Sequence, residues 1–399
     1  MNLVEINLAS IPFGRAIPFA LRGVGGSLLA NRGYVIRSSD DLHALRALGQ
    51  TFYVDTDECA ESHRAFLAEM QSLLIADAPI KKLTNLKLQG IPEAEVVQQE
   101  ETKPAWREMQ LGLTQILRNP DATDFLKRFE DLFGVLNSYL RKNTDGVLLA
   151  LVQMTAEEIQ FYSTTHAMLT SAICMTVTRE TLRWPENRVL ALGRAALSMN
   201  VGMAKLQDEL VQQTTPLTEQ QALAVTEHSS ASVAILRKAG ITDPLWLEAV
   251  RSHHQGSPGK WSEKTLAEQM ARLIQRADIF GASIAPRSNR EPMSVTSAMQ
   301  ASYYDESKAI DEAGAALVKT LGIYPPGAWV KLASGEIGVV IRRGASAATP
   351  KVAVLVNRSG MATGEPLPRN TGEAAWKIVG PVAHKQVQVR LPLEKILAL

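Results

Sequence analysis

Histidines and one aspartate in the middle of the chain are the residue types best suited to chemistry. Four of the seven histidines, His166, His228, His253 and His254, lie in a stretch with a helical pattern. Asp278 lies in the mostly apolar segment MARLIQRADIFGASI, where a buried carboxylate needs a partner or a metal ion. Imidazoles together with a carboxylate suit Fe, Mn or Zn better than Mg. A single helical histidine is more often a satisfied core or surface residue, so each one alone is weak evidence.

The adjacent pair His253-His254 in VRSHHQ is the strongest of these local signals. The pair precedes a loop rich in Gly and Pro. Adjacent residues on a helix point about 100° apart. Two ligands at this place therefore indicate a pocket that wraps around the end of a helix.

The elements that must position these residues are mainly helices. From about Ala105 to Leu321 the pattern predicts an all-α region of about eight helices. The segment FLKRFEDLFGVLNSYLRK places six apolar residues on one helical face: Phe125, Phe129, Leu132, Phe133, Leu136 and Leu140. That face is either plain core or the interface of a homodimer.

The two ends of the chain have β patterns instead. The first 60 or so residues read as strands with Gly turns and one short helix. Near the C-terminus, AWVKLASGEIGVVIRRG predicts a hairpin, and KVAVLVN and AWKIV predict further strands. The predicted fold class is multidomain α+β, a central all-α helical bundle flanked by small β-rich domains. The predicted boundaries are a β-rich domain at 1–62, a helical linker region at 63–142, the all-α domain at 143–322 and a small β domain at 323–399.

Composition excludes several classes of protein. The formal net charge of +1 gives no electrostatic reason to expect nucleic acid or an anionic membrane as partner. Cys59 and Cys174 match no metal or redox spacing and indicate reduced thiols in the cytoplasm. No apolar run approaches the roughly 20 residues that span a bilayer, and the N-terminus does not read as a signal peptide. We therefore expect a cytoplasmic protein.

From about Leu148 to Arg290, five segments in one order resemble the HD-GYP family, bacterial phosphodiesterases that hydrolyse cyclic di-GMP at a site with two or three metal ions. The segments are YSTTHAMLTSAI, AALSMNVGMAKLQDEL, TTPLTEQQALAVTEHSSASVAIL, AVRSHHQ and ARLIQRADIFGASIAPRSNR. The second aligns without a gap with AALLHDIGKIGIPDEI of typical members. The resemblance implies an HD-domain fold and these metal ligands: His166, His228, His253, His254 and Asp278. It also implies a pair of arginines, Arg287 and Arg290, which either form a fork for a phosphate or are plain surface residues.

Departures from the family pattern fall where catalysis is expected. The family's central His-Asp pair corresponds to Met199 and Asn200, and its next lysine corresponds to Met203. Two-metal hydrolysis needs ions about 3.5–4 Å apart, and the bridging carboxylate offsets their repulsion. An amide and a thioether cannot replace the carboxylate and the imidazole. The loop HHQGSPGKW is also shorter than in the family and lacks its Gly-Tyr-Pro motif.

The sequence thus predicts a degenerate HD-GYP-like signalling module without efficient hydrolysis. Its expected partners are cyclic di-GMP or a related nucleotide, a signalling protein, and a second copy of the chain in a homodimer. The expected cofactor is one divalent metal ion (Fe, Mn or Zn) or none. Two alternatives stay open: an active cyclic di-GMP phosphodiesterase with an altered metal site, and a scaffold that resembles the HDOD modules, which share the fold without metal ligands.

Overall fold

The computed structural model describes residues 3–6, 20–23, 28–30, 52–55, 106–256, 259–288, 290–387, 389 and 391–399. The chain divides into two compact units, Met1–Leu111 and Gly112–Leu399. In the first unit, antiparallel strands form a sheet in the order β1-β4-β2-β3. These strands are β1 (Leu3–Ile6), β2 (Leu21–Arg22), β3 (Leu28–Ala30) and β4 (Phe52–Asp55). The β-rich N-terminal region is confirmed, whereas the short helix predicted before β4 and the helix predicted near residue 63 lie outside the described residues.

Eleven helices lie between residues 106 and 321 in the described part of the chain, so the predicted number of about eight was too low. They are α1 (Trp106–Arg118), α2 (Phe125–Lys142), α3 (Thr144–Glu157), α4 (Tyr162–Glu180), α5 (Glu186–Ser198), α6 (Ala204–Leu210), α7 (Glu219–Lys238), α8 (Pro244–Ser252), α9 (Leu266–Ile284), α10 (Val295–Tyr303) and α11 (Glu312–Leu321). Some breaks carry no Gly or Pro signal. Asn143 alone separates α2 from α3, and its side chain accepts a hydrogen bond from the Gly146 N–H at the start of α3. No described helix has the length and apolarity needed to cross a membrane.

The apolar face of α2 is core. Its members Phe125, Phe129, Phe133, Leu136 and Leu140 are all buried. The ring of Phe129 stacks on that of Trp246 in α8, with 5.6 Å between centroids. This face therefore packs inside the chain and is not free to form a dimer. The homodimer stays a prediction, and a different surface would have to form it.

Helix α4 runs through the centre of the bundle. Every residue from Tyr162 to Thr178 is buried, although many of them are polar. Hydroxyl groups of this helix donate to backbone carbonyls one turn earlier, as Thr170 does to His166 O at 2.8 Å. These hydroxyl groups are thus satisfied within the helix, and others bond to neighbouring elements, as Ser171 does to Gly193 O. The helix carries His166 into the interior.

A second antiparallel sheet follows the helices, in the order β8-β7-β6-β5-β9. Its strands are β5 (Trp329–Leu332), β6 (Ile337–Arg342), β7 (Lys351–Val356), β8 (Ala362–Asn370) and β9 (Ile378–Pro381), and helix α12 (Leu393–Leu397) comes after them. The predicted hairpin is confirmed, with Trp329 opposite Val339. Leu149 of α3 belongs to the same hydrophobic cluster as Trp329 and Val339. The fold class is therefore α+β as predicted, while the exact domain boundaries stay predictions.

Candidate metal and nucleotide site

Three histidines, one inside a helix and two at the end of the next helix, lie close together. His228 lies within α7, a helix that begins with a capping box of Thr218 and Gln221. His253 and His254 directly follow the last residue of α8, as expected for a pocket around a helix end. Ligand atoms of the three imidazoles all lie within 4.8 Å of one another. His228 and His253 are buried, and His254 is exposed.

Hydrogen bonds fix which nitrogen of each buried ring carries the proton. Nδ1 of His228 lies 2.6 Å from Val225 O, and Nδ1 of His253 lies 2.7 Å from Val250 O. A carbonyl oxygen only accepts, so Nδ1 is the donor in both rings and Nε2 is left with a lone pair when the ring is neutral. The two Nε2 atoms lie 3.3 Å apart.

Electrostatics keep these two rings neutral. Burial lowers the pKa of His228, and burial together with His254 lowers the pKa of His253 to about 3. Two lone pairs therefore face each other with no proton between them, and the Ser229 hydroxyl reaches His228 Nε2 only at 3.4 Å. A divalent cation satisfies such an arrangement, because it binds neutral imidazoles whose other nitrogen is held by a hydrogen bond. The residues present therefore fit one metal ion.

His166 and Asp278 form a pair beside this cluster. His166 Nε2 lies 2.6 Å from Asp278 Oδ1, which joins α4 to α9. Burial alone would raise the pKa of Asp278, but the hydrogen bond and charge of His166 outweigh it and hold the pKa at about 2. His166 and Asp278 thus adjoin the three-histidine cluster but are not among the residues whose ligand atoms fall within 4.8 Å of one another.

Met199 and Asn200, which the sequence predicts to correspond to the His-Asp pair of HD-GYP proteins, directly precede a short turn, Val201–Met203, that packs against α7. Met199 is fully buried, and Asn200 is buried with an Oδ1 that has no hydrogen-bond partner among the described residues. Two residues later, a Cβ on Gly202 would lie 2.9 Å from His228 O, so only glycine permits this close approach. Asn200 is thereby held near α7 with an unused acceptor, whereas Met199 is packed as a core residue.

Arg287 and Arg290 lie on the loop after α9, and a backbone bridge pairs the two residues. Arg287 Nη2 donates to Tyr162 Oη at 3.1 Å, and Arg290 Nη2 donates to Ala282 O at 2.5 Å. Burial and the neighbouring Arg287 both lower the pKa of Arg290. Neither guanidinium has an ion pair with a carboxylate in the part of the chain that is described. The two arginines thus form a local concentration of positive charge.

Sequence reasoning missed Tyr162. Its ring stacks on His166 with 5.3 Å between centroids and an interplanar angle of 21°. The signal was present, since Tyr162 precedes His166 by four positions and residues at that spacing share a helix face. Tyr162 thus connects the Arg287 guanidinium to the His166–Asp278 pair.

The helical region of the chain is similar to known proteins. Residues 149–313 match the family model described as HD domain. A curated relative, "Cyclic di-GMP phosphodiesterase PA4108" of Pseudomonas aeruginosa, is 27% identical over 215 residues, which cover 52% of this chain and 51% of the relative. The chain thus matches about half the length of that relative. A solved structure titled "Bd1817, a HDG"Y"P protein from Bdellovibrio bacteriovorus" is 12% identical with a TM-score of 0.42, and the match covers 79% of this chain and 98% of that one.

Proposed function

We propose, on the premise that residues 149–313 are an HD domain of the HD-GYP type, that the chain is a degenerate signalling module of that family. In this proposal it binds cyclic di-GMP or a related nucleotide, a protein partner, or both, and hydrolyses the nucleotide inefficiently. The observation that carries the proposal is the buried pair Met199 and Asn200 at the position of the family's His-Asp pair.

Loss of turnover follows from the charge that the substitutions remove. Two divalent cations about 3.5–4 Å apart repel each other strongly unless an anionic ligand bridges them. Asn200 offers one neutral carbonyl oxygen, and Met199 offers a thioether inside the core. Without that bridge the second ion is lost, and with it the two-metal activation of water.

A single metal ion fits the remaining residues. His228, His253 and His254 would hold it, and Asp278, oriented by His166, would lie beside it. Three imidazoles suit Zn, Fe or Mn. A bound ion would supply a Lewis acid at this position. The chain's own residues contribute the neutral Nε2 atoms and the fixed ring orientations.

Nucleotide binding is supported by the arginine pair. Arg287 and Arg290 lie close enough to affect each other electrostatically, and no carboxylate of the described residues pairs with either. Guanidinium groups bind phosphate oxygens through two parallel hydrogen bonds. A phosphodiester group of a cyclic dinucleotide would supply the missing negative charge.

Calorimetric titration of the full chain with cyclic di-GMP tests the proposal. We expect binding, release of linear product much slower than in an HD-GYP enzyme with an intact His-Asp pair, and weaker binding in Arg287→Ala. Arg358→Ala is the matched control, because Arg358 is an exposed arginine of the C-terminal β region. The double variant Met199→His with Asn200→Asp should gain metal and turnover. Turnover by the unmodified chain at the rate of the intact enzyme would contradict the proposal.

An active phosphodiesterase with one metal ion is the second candidate, and the three-histidine cluster favours it. It predicts stoichiometric Fe, Mn or Zn in protein purified without chelator, and hydrolysis that stops when the metal is removed. Protein that carries one ion per chain yet shows no turnover would exclude this candidate.

An HDOD-like scaffold is the third candidate. It is favoured by the contacts that the histidines already make with backbone carbonyls and with one another. It predicts that His253→Ala and Asp278→Ala change neither metal content nor nucleotide binding. A loss of either property in these variants would exclude it.

A further inference from the structure

Tyr162 lies between the His166–Asp278 pair and Arg287. It is the first residue of α4, and its ring stacks on His166, the partner of Asp278. Its hydroxyl oxygen accepts a hydrogen bond from Arg287 Nη2 at 3.1 Å. The carbon at the centre of the Arg287 guanidinium lies 5.6 Å from the centroid of the tyrosine ring. Tyr162 thus contacts Arg287 through both its face and its hydroxyl.

The surroundings of Tyr162 hold its ring in one place. Tyr162 is 3% exposed and forms a hydrophobic cluster with Val211 and Ala285. The backbone N–H of Ser288 donates to Val211 O at 2.9 Å, which ties the arginine loop to the same cluster. The ring and the loop therefore share one support, and the hydroxyl has a fixed position relative to Arg287.

The Arg287 side chain has a donor that none of the described residues accepts from. Its Nε is buried and has no hydrogen-bond partner among the described residues. An unsatisfied buried donor is costly, and in a positively charged group the cost is larger. The contact with Tyr162 occupies Nη2 and leaves Nε without an acceptor among the described residues. An anionic oxygen is the acceptor that best satisfies it.

We infer that Tyr162 is a positioning residue that holds the Arg287 guanidinium ready to bind a phosphate oxygen. The inference rests on the proposed nucleotide-binding function and assigns a role to a residue outside the family's ligand set. Tyr162 does not touch the phosphate in this arrangement. Its hydroxyl fixes the guanidinium, and its ring fixes His166.

Tyr162→Phe separates the two contacts, because it keeps the stacked ring and removes the hydroxyl. We expect cyclic di-GMP to bind about tenfold more weakly, the change expected when one hydrogen bond to a charged group is lost. Arg287→Ala should weaken binding further, and adding Tyr162→Phe to Arg287→Ala should change nothing more. Tyr304→Phe is the control, since Tyr304 is 40% exposed. Additive losses in the double variant would overturn the inference.

NMR with 15N-labelled arginine gives a readout that does not depend on the dinucleotide. The Nε–H signal of Arg287 is assigned by its disappearance in Arg287→Lys. We expect this signal to exchange slowly with water, to exchange faster in Tyr162→Phe, and to shift on addition of inorganic phosphate. The inference would be overturned if Tyr162→Phe left the exchange rate of the Nε–H signal unchanged and phosphate left its chemical shift unchanged. A signal that responds to both, in a chain that does not bind cyclic di-GMP, would instead contradict the proposed function alone.

Discussion

Replacement of Asp278 with Asn should remove a mostly buried carboxylate whose contribution to stability can be worked out from the structure. In metal-free protein, Asp278 is 16% exposed and lies 2.6 Å from His166 Nε2. Burial opposes ionisation, but His166 outweighs it and holds the Asp278 pKa at about 2, against an ordinary value of 3.8. At roughly 1.4 kcal/mol per pH unit, this difference corresponds to about 2 kcal/mol of stability at pH 7.

The sign of the pH dependence follows from the direction of the pKa change. Because the pKa is lower in the folded state, the stabilisation is complete above about pH 5 and is lost as the pH falls toward 2. Urea unfolding of chelator-treated protein, followed by circular dichroism at several pH values, measures it. The unmodified chain should exceed Asp278→Asn by about 2 kcal/mol at pH 7 and by about half of that at pH 3.

A matched control for this prediction is Asp131→Asn. Asp131 is 66% exposed and pairs with Lys127 one turn earlier on α2. Such exposed pairs contribute little, so this variant should match the unmodified chain to within roughly 0.5 kcal/mol. A difference between the unmodified chain and Asp278→Asn that stays constant from pH 7 to pH 3 would refute the reasoning, since it would reflect packing rather than charge.

Two further predictions concern the metal and the C-terminal sheet. His253→Ala should abolish co-purification of a divalent metal, measured by elemental analysis, whereas His384→Ala, in the C-terminal β region, should leave the metal content unchanged. Gly327→Ala should lower the free energy of unfolding by about 1–3 kcal/mol, because Gly327 has a φ of +92° and an added Cβ would lie 2.6 Å from a Val152 methyl carbon. Unchanged thermal unfolding in Gly327→Ala would show that the loop before β5 can move away from α3 freely.

Features that depend on local spacing could be predicted from the sequence. The apolar residues of α2 repeat every three or four positions, so their burial was predictable, as was the hairpin of β5 and β6. Helix number was less predictable, because a polar residue such as Asn143 can end one helix and cap the next without Gly or Pro. The sequence could mark candidate residues in order along the chain, but it could not indicate which of them touch.

Pairings across the bundle are the part that the sequence could not supply. His166 and Asp278 are 112 positions apart, and Tyr162 and Arg287 are 125 positions apart. Their contacts depend on how α4 packs against α9, which local patterns do not encode. For the same reason the sequence could not show that three of the five predicted ligands lie within 4.8 Å of one another, or that His166 contacts Asp278. The five-residue ligand set itself stays a prediction.

In the proposed function, charge around the site favours one metal ion over two. Burial lowers the pKa values of His228 and His253, so these rings add no positive charge at pH 7. Asp278 is then the one carboxylate in the candidate ligand set, and His166 already engages it. With no carboxylate to bridge them, two divalent cations would repel each other more than the ligands can offset. A bound dinucleotide would add negative charge instead, because each of its phosphodiester groups is an anion.

Asn200 is therefore the position at which the proposed function depends most on charge, and Asn200→Asp alone should separate metal binding from turnover. The new carboxylate would replace a buried amide whose Oδ1 lacks a hydrogen-bond partner among the described residues. In metal-free protein it should destabilise the fold, because a buried charge without a partner is costly. Added Mn²⁺ should restore the lost stability, which is measured as a rise in the thermal unfolding midpoint. Hydrolysis should stay slow, because position 199 still carries a thioether instead of an imidazole. An Asn200→Asp chain that is as stable without metal as the unmodified chain would mean that the position is solvated and does not face a metal.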